Sequence, residues 1–291
     1  MVADRYQVIE RLGKGGMGAV FRVHDHKTRR DVALKAMLPK FGNTSQAAAR
    51  FEREVRLCRR LNHPGIVKIY DAQKWNDILF YTMDYIQGKT LRHWLAQQGR
   101  LDFGSGVRVL CLVADALEHA HEITIHRDLS PENVMVLADG SVRLLDFGLA
   151  KLDDKFQGLT MAGANMGKLM YIAPEQEHDA ASVDHRADIY SLGVMFFEVM
   201  VGRTPLPGEK PGFFRDDLPP EADAFFSKAT AYRPEDRFYS AREFRNSLLG
   251  LYKLHEARRN VSITSANRPP ILNTGITGRL GAFFRKILFR A

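Results

Sequence analysis

The chain has 291 residues, 45% of them hydrophobic and 26% charged, the balance of an ordinary soluble globular protein with more length than one small core needs. Its net charge of +8 is uneven: seven of the 42 Lys and Arg, and none of the 34 Asp and Glu, fall in residues 257–291. The remainder is nearly neutral, and a nucleic-acid-binding body is not indicated.

The opening Met1-Val2-Ala3-Asp4 has no basic flank followed by an apolar run, so no secretory leader is expected. Tyr6-Gln7-Val8-Ile9 and Ala19-Val20-Phe21-Arg22-Val23 read as strands on either side of a glycine-rich turn, and residues 31–37 as a third. A helix is expected over residues 45–61, with Ser45 as its N-cap. Residues 66–70 and 78–83 read as further strands. From Leu91 the pattern is mostly helical, broken by a hairpin over residues 134–145. The most apolar stretch, residues 192–201, is ten long and contains Glu198, which suits a buried helix rather than a bilayer span. Cys58 and Cys111, the only cysteines, fall in helix-like segments and read as reduced core thiols of a cytoplasmic protein. The division expected is 1–86, 87–256, a Ser/Thr/Asn/Pro/Gly-rich linker at 257–278, and a separate piece at 279–291.

Gly13-Lys14-Gly15-Gly16-Met17-Gly18 fits G-x-G-x-x-G, a weak signal alone. A dinucleotide site needs a helix after the glycines, whereas here a β-branched strand follows. The glycines therefore read as a hairpin tip whose bare backbone can close over a triphosphate. Val32-Ala33-Leu34-Lys35 places an amine within an apolar strand. In the helix, Phe51, Val55 and Cys58 mark the inward stripe, and Glu54 lies on it. A carboxylate there needs a cation, and Lys35 is the natural candidate.

The strongest signal is His126-Arg127-Asp128-Leu129-Ser130-Pro131-Glu132-Asn133, followed by Asp146-Phe147-Gly148. Asn133 immediately precedes the hairpin and Asp146 immediately follows it, so strand pairing brings two oxygen donors together at its open end. A hard cation such as Mg²⁺, completed by phosphate and water, suits that pair. Asp128 lies close enough to face an incoming hydroxyl.

In this order the motifs resemble the protein kinase superfamily, and bacterial serine/threonine kinases of the eukaryotic type in particular. The likeness spans residues 4 to about 250 and includes Ala173-Pro174-Glu175, Asp188-Ile189-Tyr190-Ser191-Leu192-Gly193 and Arg237. It implies an α+β bilobal fold, with an antiparallel N-lobe sheet carrying one main helix and a mainly helical C-lobe. It implies transfer of the γ-phosphoryl group of Mg-ATP to protein hydroxyls by positioning and charge neutralisation. In that scheme Asp128 orients the hydroxyl and accepts its proton, Asn133 and Asp146 hold Mg²⁺, and Lys35, kept in place by Glu54, anchors the α- and β-phosphates. Leu12, Gly13, Gly15 and Gly18 belong to the phosphate loop. Val20, Ala33 and Met135 would sandwich adenine, with Met83 as gatekeeper and Asp84 to Ile86 as the hinge. Glu175 and Arg237 should form a buried ion pair, and Asp188 should brace the catalytic loop.

Two positions depart from the serine/threonine pattern. Ser130 stands where the family carries lysine, and Lys168 where it carries threonine. One reading is that Lys168 supplies the charge on the γ-phosphate that position 130 usually provides; the other is that both changes weaken activity. The departure also loosens the inference of Ser/Thr over Tyr. Thr160 is the only Ser or Thr between Asp146 and Glu175, and Arg127 is placed to pair with a phosphate there, so autophosphorylation at Thr160 is expected. The proline-rich stretch 204–220 is shorter than its family counterpart, which puts docking by that route in doubt.

Leu280, Phe283, Phe284, Ile287, Leu288 and Ala291 make one apolar helical face beside Arg279, Arg285, Lys286 and Arg290. This fits an anchor on an anionic membrane, at the inner face, and equally a helix docked on the kinase body or a partner protein. The histidines show no zinc spacing, and His126 is expected to pack within the catalytic loop. Two rival functions stand beside a protein kinase: a pseudokinase scaffold, favoured weakly by Ser130 and opposed by Lys35, Glu54, Asp128, Asn133 and Asp146, and a small-molecule kinase.

Overall fold

The structure is a computed structural model that describes residues 1–15, 18–38, 45–147, 166–178 and 183–265. Strands β1 (Tyr6–Gly15), β2 (Gly18–Asp25) and β3 (Arg30–Met37) form a meander, followed by helix α1 (Ser45–Cys58) and strands β4 (Ile69–Trp75) and β5 (Ile78–Asp84). All pair antiparallel in the order β1-β2-β3-β5-β4. The stripe read from the sequence is the face α1 buries: Phe51, Glu54, Val55 and Cys58. The strand expected at 66–70 begins instead at Ile69. Pro64 and Gly65 turn the chain, and Ile66 bridges to Leu144 in the other lobe. Gly18 is fixed by packing, since a Cβ there would stand 2.0 Å from the Ala36 carbonyl oxygen, whereas Gly13 and Gly15 have open space around them.

The second lobe opens with β6 (Gly88–Thr90), α2 (Leu91–Gln98) and α3 (Phe103–His121). Asp102 caps α3 by accepting from the Ser105 amide. The hairpin is β7 (Val134–Leu137) and β8 (Val142–Leu144), with β6 on its outer edge. Short helices α4 (Met166–Leu169) and α5 (Pro174–His178) lead to α6 (Arg186–Val201), α7 (Glu221–Ala229) and α8 (Ala241–Ser265). Helix α6 is apolar on nearly every side and runs through the core, as its composition requires. Between α6 and α7 the described chain holds a single 3₁₀ turn, Pro211–Phe213.

The C-terminal boundary also differs from the sequence reading. Helix α8 continues to Ser265, past residue 257 where the linker is expected, because no proline interrupts the chain before Pro269. Residues 266–291, including the amphipathic piece at 279–291, lie outside the described residues. Among the described residues no helix is long and apolar enough to cross a membrane.

Candidate active site

Strand β3 delivers Lys35 to the inner face of the sheet, with 8% of its side chain exposed. Directly opposite it on β5 is Tyr81. Both reach across to the residue after the hairpin: Lys35 Nζ donates to Asp146 Oδ2 at 2.6 Å, and the Tyr81 hydroxyl to Asp146 Oδ1 at 2.7 Å. Burial works to raise the Asp146 pKa, but the Lys35 charge, its hydrogen bond and the Tyr81 hydroxyl outweigh it, and the carboxyl is held below its ordinary range. Asp146 sits at φ +58°, in the left-handed region.

Here the structure corrects the pairing of Lys35 with Glu54. Glu54 is buried on α1 as expected, yet its ion-pair partner among the described residues is Arg53 at 3.7 Å, and no described residue donates to its Oε2. The single amine is taken by Asp146, which offers the shorter contact and shares its load with Tyr81.

The catalytic loop is held from below. Buried Asp188 on α6 accepts from the amides of His126 at 2.9 Å and Arg127 at 2.8 Å, and His121 Nε2 lies 2.8 Å from it. These bonds stabilise Arg127 at φ +63°. The His126 ring, fully buried, packs on Phe147 with centroids 4.5 Å apart. Burial, the Glu54 charge and, less, the Asp146 charge raise the Cys58 thiol pKa to about 12; its Sγ–H donates to the Phe147 carbonyl, joining α1 to the segment after Asp146. Glu175 and Arg237 form the expected pair, bidentate at 2.6 and 2.7 Å, with Arg237 also donating to the carbonyls of Ala231, Arg186 and Tyr232.

Asp128 stands between two donors. Asn133 Nδ2 donates to its carbonyl at 2.6 Å and its Oδ2 at 3.1 Å, and Lys168 Nζ donates to Oδ2 at 2.7 Å. Ser130 is fully buried. The lysine expected near Asp128 is therefore present, brought by α4 rather than by the loop. Asn133 and Asp146 close the open end of the hairpin, where the Leu145 amide donates to the Asn133 carbonyl at 2.9 Å. Among the described residues no three His, Cys, Asp or Glu side chains converge to cage a metal. An oxygen-only pair of this kind fits Mg²⁺, which draws its other ligands from phosphate and water.

Ala33 and Met83 are cross-strand neighbours and buried, Val20 is half-buried, and Met135 lies on β7 beside Thr90. Leu12 is exposed at the sheet edge. At Asp84 the amide is committed to the Lys68 carbonyl at 3.0 Å, and the carboxylate to the Lys68 amide and the Tyr70 hydroxyl. Tyr81 and His121 are the site residues that sequence reasoning missed. The register opposite Lys35 is the signal for the first. Gly16, Met17 and Thr160 lie outside the described residues.

A mixed sheet-and-helix lobe over a helical lobe, with an amine, a loop carboxylate and two oxygen donors between them, defines a phosphotransferase-type architecture. The chain belongs to the protein kinase family, whose protein kinase domain matches residues 6–248. It is 32% identical to the serine/threonine-protein kinase PknB of Mycobacterium tuberculosis over 94% of this chain and 47% of that protein. It is 34% identical to a probable serine/threonine-protein kinase of Streptomyces coelicolor over 84% of this chain and 39% of that one. The chain thus spans about half or less of the length of these relatives. Its fold matches the crystal structure of the M. tuberculosis PknI kinase domain with a TM-score of 0.73 at 30% identity, covering 87% of this chain and 97% of that one.

Proposed function

We propose that this chain is an active, Mg²⁺- and ATP-dependent protein kinase that phosphorylates serine or threonine hydroxyls. The observation that carries the reading is the placement of Asp128, whose Oδ2 is held by Asn133 and Lys168 while no described residue donates to Oδ1. Oδ1 is the atom that receives the proton of an incoming hydroxyl. Asp146 and Asn133 would hold Mg²⁺, which when bound would neutralise phosphate charge. Lys35 anchors the α- and β-phosphates, and Lys168, beside the catalytic carboxylate, supplies the cation for the γ-phosphate that Ser130 cannot. Leu12, Gly13, Gly15, Gly18, Val20, Ala33, Met83, Asp84, Ile86 and Met135 line the nucleotide. The pseudokinase alternative requires the donor set to be idle, and the geometry at Asp128 and Asp146 argues against it.

Thr160 is the proposed autophosphorylation site. The body works in the cytoplasm, and residues 279–291 bring it to an anionic membrane face or a partner protein. The deciding experiment is labelled-ATP transfer to generic protein acceptors: the wild type labels them, and Asp128→Ala loses at least about a thousandfold of the rate. Equal labelling by the two proteins would defeat the reading.

A further inference from the structure

Tyr81 is fully buried on β5, and its ring packs against Phe51 of α1 with centroids 6.3 Å apart. Packing alone would be served by phenylalanine, which fills the same space and buries no polar atom. The hydroxyl is costly to bury unless it is hydrogen-bonded, and the acceptor it has found is Asp146 Oδ1. Because Tyr81 pairs with Lys35 across the sheet, two neighbouring side chains grip the two oxygens of one carboxylate. Each carboxylate oxygen keeps a second lone pair, so neither bond prevents a cation from binding.

The two donors differ in what else they do. On the proposed reading Lys35 also anchors phosphate, so its three N–H donors are divided between Asp146 and the nucleotide. The Tyr81 hydroxyl, on a ring locked between β5 and α1, stays on Asp146. We propose that Tyr81 is a positioning residue that fixes the Asp146 carboxylate for a nucleotide-bound divalent cation. This inference rests on the reading of Asp146 as the Mg²⁺ ligand. It assigns the hydroxyl, rather than the ring, a part in metal affinity. The backbone of Asp146 at φ +58° sets the direction of the side chain, and the Tyr81 bond sets the rotation of its carboxylate plane.

The experiment is equilibrium binding of ADP to the full chain, with Mg²⁺ titrated and with EDTA, comparing wild type and Tyr81→Phe. ADP affinity in EDTA should be equal in the two proteins. The Mg²⁺ concentration that supports half-maximal binding should rise about tenfold in Tyr81→Phe, the scale of one hydrogen bond to a charged group. Thermal melting without nucleotide verifies the fold. Should Tyr81→Phe melt early, Tyr81→Met, a second apolar filler without a hydroxyl, must give the same Mg²⁺ shift. An unchanged Mg²⁺ requirement, or a loss equal with and without metal, overturns the proposal and leaves the kinase reading intact. A wild type that binds ADP with no dependence on Mg²⁺ overturns both.

Discussion

Lys168 and Asp128 form a 2.7 Å ion pair that joins helix α4 to the catalytic loop, forty residues away in sequence. Lysine and hydroxyl have changed places relative to the family pattern, and the position from the loop that would carry the charge is the buried Ser130. The Lys168 side chain is 41% exposed, so the pair contributes little to folding. On the proposed reading its worth lies in the charge it holds beside Asp128. Lys168→Ala should lower kcat about a hundredfold, as loss of one charge-stabilising donor does, with a stability change within about 0.5 kcal/mol. Steady-state kinetics and urea melts check this, and an unchanged kcat would remove Lys168 from the mechanism.

Lys35 satisfies Asp146, and the ion pair left to Glu54 among the described residues is a long one, to the exposed Arg53 at 3.7 Å. Removing the amine strands a half-buried carboxylate, so Lys35→Met should cost about 3 kcal/mol of stability. Glu54→Gln removes a charge that is already poorly compensated, and it should leave stability equal or raise it by about 1 kcal/mol. Double-mutant cycles in urea then give strong coupling for Lys35 with Asp146 and weak coupling for Lys35 with Glu54. The reverse ranking would contradict the pairing described above.

Much of this site was legible because its motifs are local. The hairpin between Asn133 and Asp146 follows from two apolar runs and a turn, and it places both oxygen donors without any knowledge of the rest of the fold. The stripe of Phe51, Val55 and Cys58 likewise identifies Glu54 as inward. What the sequence did not settle is competition over long range. One amine faces two carboxylates, buried Glu54 and half-buried Asp146, 19 and 111 residues away, and helical or strand periodicity cannot say which is nearer. Tyr81 escaped notice because residues 78–83 form a continuous apolar run, in which no alternation shows the face each residue takes.

The Glu175–Arg237 pair is buried on the arginine side and fully hydrogen-bonded, and it ties α5 to the turn before α8. Breaking it leaves a carboxylate uncompensated and three carbonyls without their donor. Arg237→Ala should therefore cost about 3–5 kcal/mol, seen as a lower urea midpoint with an unchanged slope. A loss under about 1 kcal/mol would show that the pair is solvated after all.

Thr160 is the lone Ser or Thr between Asp146 and Glu175. After incubation with Mg-ATP, mass spectrometry should find phosphate on Thr160, and the Asp128→Ala protein should carry none. Phosphate confined to other residues would move the regulatory site elsewhere.

Asp188 gives a pH signature. Burial alone would raise its pKa, but the neighbouring His121 ring, the charge of His126 and the His126 amide pull it below the ordinary 3.8. The unfolded chain therefore takes up this proton at a higher pH than the native one. The stabilisation is fully present above 3.8 and is lost as pH falls through the lower native value. Asp188→Asn cannot ionise, and it weakens the bonds to the His126 and Arg127 amides. At neutral pH it should be less stable by roughly 2–4 kcal/mol. Below about pH 4 its stability should fall less steeply than that of the wild type. Urea midpoints measured down that range test both parts, and parallel acid limbs for the two proteins would mean that Asp188 is not ionised beneath the catalytic loop.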